Sequence, residues 1–149
     1  MTVHTSATTA ISIDNAAANP ATDDLAGVAA LTYTLIGNVE DGGEYGATSE
    51  VVEFTPLDTA IVEKVSGSIN LGELSLTIAV DEADAGQAAA KAAVYSRRTV
   101  YVKIDLPDGT GGRTTEYLRG TISQFSRKIG TADDIAMFNC TINIAASYS

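Results

Sequence analysis

The sequence predicts a mainly β protein: an antiparallel β-sandwich or barrel with one flanking α-helix at about residues 84–96 and a long inter-strand loop. Three observations lead there. Apolar and polar residues alternate with a period of two in several segments, most clearly at Leu74, Leu76, Ile78 and Val80 and again at Phe138, Cys140, Ile142 and Ile144. Clusters of Gly, Pro, Asn and Asp punctuate the intervals as turns do. Helical character is confined to one stretch, DEADAGQAAAKAAVYSRR, where an alanine-rich run follows acidic residues and ends on arginines.

Residues 1–30 are rich in Ala, Thr, Asn and Asp and read as an N-terminal arm or leader, with a short strand expected at Ile11–Ile13. Leu31, Tyr33 and Leu35 alternate with threonines and begin the body, a single domain over residues 31–149. The segment EDGGEYG is turn chemistry. Next, ATSEVVEFTPLDTAIVEK has strand-forming residues interrupted by Pro56 and scattered with acids. Val51, Val52, Phe54, Leu57, Ile61 and Val62 are too apolar for a disordered loop, so Tyr45–Glu63 is expected to meet a partner. Residues 74–80 form a strand, and Asp84 caps the helix with Gln87 reaching back in a capping box. The stripe Ala85, Ala88, Ala89 and Ala92 is expected to lie against the sheet. Val100, Val102, Ile104 and Leu106 mark the next strand, Pro107-Asp108-Gly109 turns the chain, and Glu116–Phe125 returns. A turn at Asp133-Asp134 precedes the last strand.

Charge is distributed unevenly. The net charge is −10, and residues 1–90 hold fourteen of the nineteen acidic side chains but only Lys64 of the nine basic ones. Such acidity disfavours a protein that grips phosphate backbones, and the asymmetry suits copies meeting through opposite patches. Arg97, Arg98, Arg127 and Lys128 are the candidate inter-subunit basic residues. The N-terminus has no basic segment followed by a long apolar run, so a secretory signal is not expected, and no stretch is long enough to span a membrane.

Catalytic chemistry is not expected. The single histidine, His4, lies in the leader, and the single cysteine, Cys140, lies on the apolar face of a strand, so neither a nucleophile–base pair nor a zinc site assembles. Asp81, Glu82 and Asp84 lack the spacing of a calcium loop and serve a helix start equally well. Gly109, Gly111 and Gly112 match no phosphate-binding pattern. Asn139-Cys140-Thr141 fits a glycosylation acceptor but falls inside a strand. No cofactor or metal is implied.

The ordered set GNVEDGGEYGATSEVVEFTPL, EKVSGSINLGELSLTIAVDEADAGQAAAKAA, VKIDLPDG and YLRGTISQFSRKIGTADDIAMFNCTINI resembles the major tail tube proteins of long-tailed bacteriophages, over roughly residues 35–145. The resemblance implies a fold shared with the type VI secretion tube protein, without the extra C-terminal immunoglobulin-like domain of some relatives. It implies a homo-oligomer, with hexameric rings stacked into a hollow tube in the tail of a virion assembled in the bacterial host cytoplasm. Tape-measure, tail-tip and tail-terminator proteins are the implied partners, and DNA passes through the lumen without sequence-specific binding or membrane insertion by this chain. The family's inter-ring loop maps onto Tyr45, Val51, Val52, Glu53, Phe54, Leu57, Ile61 and Glu63. Candidate lumen or exposed polar faces are Ser75 and Thr77 on one strand and Thr121 and Ser123 on another. An adhesive or binding β-sandwich module decorating a virion or cell surface accounts for the alternation equally well, but leaves the apolar loop without a purpose.

Overall fold

A computed structural model describes residue 5, residues 7–14 and residues 24–148. Its elements in chain order are β1 (Ala10–Asp14), α1 (Leu25–Ala29), β2 (Tyr33–Leu35), β3 (Val39–Asp41), β4 (Thr48–Phe54), β5 (Glu63–Asn70), β6 (Glu73–Ala79), α2 (Ala85–Ser96), β7 (Thr99–Pro107), β8 (Arg113–Lys128) and β9 (Met137–Tyr148). Seven strands form one antiparallel sheet in the order β2-β1-β7-β8-β9-β6-β3, curled into a half-barrel, while β4 and β5 pair only with each other. The mainly β class with a flanking helix is as the alternation predicts.

The two edge strands of the curl, β2 and β3, are consecutive in the chain. Ile36 donates its N–H to Ile11 on one side (2.9 Å), and Asn38 accepts from Ala79 on the other (2.9 Å). The chain thus crosses the seam within three residues. The N-terminus of α2 straps that crossing. Asp84 Oδ2 accepts from the Gly37 N–H at 2.9 Å, and Gln87 Nε2 donates to the Gly37 carbonyl at 3.2 Å.

Alternation places Leu74, Leu76 and Ile78 of β6, Val100, Val102 and Ile104 of β7, and Phe138, Cys140, Ile142 and Ile144 of β9 on one concave face, where all are buried. The helix closes this core. Its buried stripe is Gly86, Ala90 and Ala93 with Gln87, whereas Ala85, Ala88 and Ala92 are exposed and Ala89 is half-buried. The contact face is therefore turned from the expected alanine stripe. Its spacing fits one helical face, and Gly86 sets the orientation, because a Cβ there would lie 2.3 Å from the Leu35 carbonyl oxygen.

The capping box is also modified. The Gln87 N–H donates to Asp84 Oδ2 at 3.2 Å as expected, but Gln87 Oε1 accepts from Asp81 N at 3.0 Å rather than from Asp84. The Asp84 N–H instead donates to the Asp81 carbonyl, a turn before the helix.

The folded body reaches into the segment read as a leader. β1 sits inside the sheet between β2 and β7, with Ile13 fully buried and Ile11 nearly so. Two inward isoleucines suffice for a strand, though the surrounding Ala/Thr/Asn composition obscures it. The rest of that segment, including His4, lies outside the described residues apart from residues 5, 7–9 and 24–30.

A second helix, α1, is present where only one was expected. Asp24 Oδ1 accepts from the Gly27 N–H at 2.8 Å, capping its single turn and a half, and Tyr33 donates its hydroxyl to the Val28 carbonyl at 2.8 Å. Val28 and Tyr101 are buried yet separate from the main core. They form a small cluster on the opposite face with Tyr33, whose ring packs 5.7 Å from that of Tyr117. Burial, then the nearby Tyr117 and Asp14, push the Tyr33 hydroxyl pKa upward. Asp14 completes this cluster: Oδ1 accepts from Tyr101 N (3.0 Å), and Oδ2 meets Arg98 Nη1 at 2.7 Å.

Two irregularities bend β8 and β9. The register slips between Arg119 and Gly120, leaving Ala145 extra on β9, and between Ile122 and Gln124, leaving Ser123 extra on β8. Such bulges sharpen the local twist that a curling sheet needs. Gly120 permits the close approach there, since a Cβ would lie 2.0 Å from the Asn143 carbonyl oxygen. Past the second bulge the inward parity changes, so Phe125 rather than Gln124 faces Cys140, and its ring packs 4.6 Å from Phe138. Burial pushes the Cys140 thiol pKa up to about 12, which keeps it protonated and inert.

Candidate assembly surfaces

The expected long loop is a two-stranded hairpin. β4 and β5 pair Val52 with Val65, Glu53 with Lys64 and Phe54 with Glu63, so only residues 55–62 remain as its tip. The sequence concealed these strands because Val51 and Val52 are apolar neighbours pointing to opposite faces. With no core beneath either face, the clean alternation that marks a half-buried strand is absent. Lys64 Nζ lies 3.7 Å from Glu53 Oε1, a solvent-exposed pair worth little.

The hairpin's apolar groups face water. Val51, Val52, Phe54, Ile61 and Val65 are each at least half exposed, and Leu57 is fully so. Among the described residues the hairpin packs substantially on no other element. An isolated two-stranded ribbon is marginal in water, and each such side chain gains about 1.5–3 kcal/mol on full burial. Contiguous exposed apolar surface of this kind marks an interaction site.

Of the residues the sequence assigned to this contact, Val51, Val52, Glu53, Phe54, Leu57, Ile61 and Glu63 lie together in the hairpin. Tyr45 does not. It is half-buried against the main core at the root of the hairpin, and its hydroxyl makes a short hydrogen bond to Glu116 Oε2. Burial first, then that carboxylate, push the Tyr45 pKa upward. Tyr45 therefore fixes where the arm leaves the body.

The second surface is the convex face of β6, β9 and β8. Ser75 pairs with Thr141, Thr77 with Asn139, and Thr121 with both Asn143 and Thr99. All these alternate with core residues, so they share the face turned away from the core. Ser123, at the bulge, joins them and donates its hydroxyl to the Thr141 carbonyl at 3.4 Å. The four candidate polar residues are thus brought together. Asn139, Thr141, Asn143 and Thr99 extend them into an uncharged polar patch flanked by Glu73 and Arg119. Alternation alone put Asn139 and Thr141 opposite the core, but the cross-strand register that gathers the patch is not written in any one strand.

The four candidate basic residues divide. Arg98 is engaged within the chain by Asp14, donating also to its carbonyl at 3.1 Å. Arg97 is exposed in the left-handed region (φ 55) at the end of α2. Arg127 pairs with Glu82 and sits 4.9 Å above the Phe138 ring. Lys128 is exposed.

Neither surface resembles a reaction centre. Among the described residues no three His, Cys, Asp or Glu side chains gather as a metal site, and no helix is long and apolar enough to cross a membrane. The acids before α2 have structural partners: Asp81 Oδ1 accepts from Ala83 N at 3.0 Å, and Asp84 caps the helix. Asp108 and Asp134 are held below the usual carboxylate range by N–H and hydroxyl donors, chiefly those of Thr110 and Thr131 respectively, in tight turns.

The curled sheet, its flanking helix and the projecting hairpin define the tail tube protein fold. A chain in the six-fold symmetrised cryo-EM structure of the anti-feeding prophage baseplate aligns with a TM-score of 0.71 at 12% identity, over 99% of this chain and 95% of that one. A chain in the hybrid solid-state NMR and cryo-EM structure of the SPP1 tail tube aligns with a TM-score of 0.63 at 13% identity, over 94% of this chain and 74% of that one. At these identities the likeness is one of fold. Comparison of the sequence with protein-family models and with curated proteins finds no match.

Proposed function

We propose that this chain is a structural subunit of a tail tube. Copies join head to tail into rings, the rings stack, and the hollow tube that results conducts DNA during ejection. The observation that supports this most is the exposed apolar hairpin, which needs burial and finds none among the described residues of its own chain. The baseplate and tail-tube neighbours support the same reading, and the six-fold symmetry of the former favours rings of six.

The mechanism is physical. A ring requires a heterologous interface, with two different surfaces per subunit repeated until the rotation closes. In this account the uncharged convex face bearing Ser75, Thr77, Thr121, Ser123, Asn139 and Thr141 lines the lumen. A wall without clustered lysine and arginine avoids the counterion-release attraction that holds DNA to basic proteins, so the duplex slides. The tube would belong to a virion tail assembled in the host cytoplasm, in contact with tape-measure, tail-tip and tail-terminator proteins.

Hydrogen exchange tests the reading. Amides of Thr48–Phe54 and Glu63–Asn70 should exchange rapidly in the dilute chain and become protected on polymerisation. Equal protection in the monomer would count against it.

A further inference from the structure

The hairpin joins the body through two short legs. On the first, Gly43 lies so close to β6 that a Cβ would stand 2.3 Å from the Ser75 carbonyl oxygen, and pairing within the hairpin begins at Thr48, opposite Asn70. Residues 44–47 lie between those fixed points. On the second leg, Asn70 ends the hairpin and the Gly72 carbonyl accepts from Ile144 N at 3.1 Å, so Leu71 alone lies between. Each leg carries a glycine. Beyond its chain neighbours nothing stands within 4 Å of a Cβ placed at Gly46. Gly72 has a φ of 77°, which glycine adopts at little cost.

One side chain braces this joint. Tyr45 donates its hydroxyl to Glu116 Oε2, and among the described residues this is the only side-chain hydrogen bond from residues 44–69 to the body. Glu116 pairs with Ile104 across the sheet, two residues before the buried Leu118, so its carboxylate lies on the core side at the rim. The Tyr45 ring is not wedged tightly. It stands between two clefts, one of about 470 Å³ lined also by Ile11, Val39 and Ile104, the other of about 430 Å³ lined also by Leu118 and Ile144. Close packing would leave neither, so the hydrogen bond holds Tyr45 in place more than the ring's contacts do.

We infer that Tyr45 and Glu116 form a latch that holds the β4–β5 hairpin at one angle to the body, and that breaking it lets the hairpin swing as a unit about Gly46 and the Leu71–Gly72 link. A hydroxyl–carboxylate bond is of the stronger, charge-assisted kind, yet it is single and only half-buried, so it can be released. Leu71, packed against the core, is the pivot on the second leg. The latch acts in the free chain, whether or not tubes form. Held at one angle, the arm has less orientational freedom to lose when its exposed apolar side chains meet another surface.

Spin labels on the full, dilute chain test the latch. Thr59→Cys places one label at the hairpin tip and Lys91→Cys another on α2, both at exposed positions, while the buried Cys140 stays unlabelled. With Tyr45 and Glu116 intact, pulsed electron paramagnetic resonance should give one narrow tip-to-body distance peak. Tyr45→Phe keeps the ring and loses the hydroxyl; Glu116→Ala loses the acceptor. Each should replace the narrow peak with a broad distribution, and two independent removals guard against a folding defect in either. Glu116→Gln keeps a carbonyl oxygen and should restore the narrow peak. A second label pair at Glu53 and Lys64, opposite each other on β4 and β5, should keep its dipolar broadening in every variant. A narrow peak that survives both Tyr45→Phe and Glu116→Ala, or a broad one in the chain with both residues intact, would overturn the latch. So would a change at the inner pair, which would make the bond a support of strand pairing rather than of the arm's angle.

Discussion

Gln87 is buried at 3% exposure and makes three side-chain hydrogen bonds, accepting from Asp81 N and donating to the carbonyls of Gly37 and Ala79 at 3.2 and 3.0 Å. It ties the helix start, the end of β6 and the sheet seam together. Gln87→Leu keeps the bulk but leaves those backbone groups unpaired, at about 1–3 kcal/mol for each left unsatisfied. A loss of about 2–4 kcal/mol is expected, lowering Tm by roughly 5–10 °C for a chain of this size; thermal unfolding by circular dichroism measures it, and an unchanged Tm would show that the seam does not depend on this residue. Position 87 was legible as a cap partner from its spacing to Asp84. Its role at the seam was not, because Gly37 lies fifty residues away in sequence. The same limit hid the helix face: alanines occupy both sides of α2, so composition gave no contrast. The decisive residue is Gly86, where β2 comes too close for a side chain.

Among the elements, β6, β7, α2 and β9 are where alternation and capping put them, because each has one buried face that imposes its period on the sequence. The hairpin has none, and its strands were legible only as an apolar, acidic anomaly with Pro56 inside it. That anomaly nonetheless marked the segment whose apolar side chains are left exposed. Val52→Asp combined with Phe54→Asp should change stability by less than about 0.5 kcal/mol per site, as exposed substitutions do, yet abolish polymerisation seen by sedimentation. An unfolded double variant would show instead that these side chains belong to the core. β1 was foreshadowed only as Ile11–Ile13, and its place between β2 and β7 depends on a pairing with a strand some ninety residues later.

At the scale of the molecule, three surfaces follow from one curled sheet. Its concave face is the core, its convex face offers uncharged hydroxyl and amide side chains, and one end carries the hairpin with its exposed apolar groups. A subunit with an apolar hairpin standing off its body has the geometry for head-to-tail assembly. The central claim is that the chain polymerises into a hollow tube. Negative-stain electron microscopy of the purified, unchanged chain at increasing concentration tests it most directly. Rings in end view and tubes with a stain-filled lumen are the predicted result; a uniformly dispersed monomer at high concentration would contradict it.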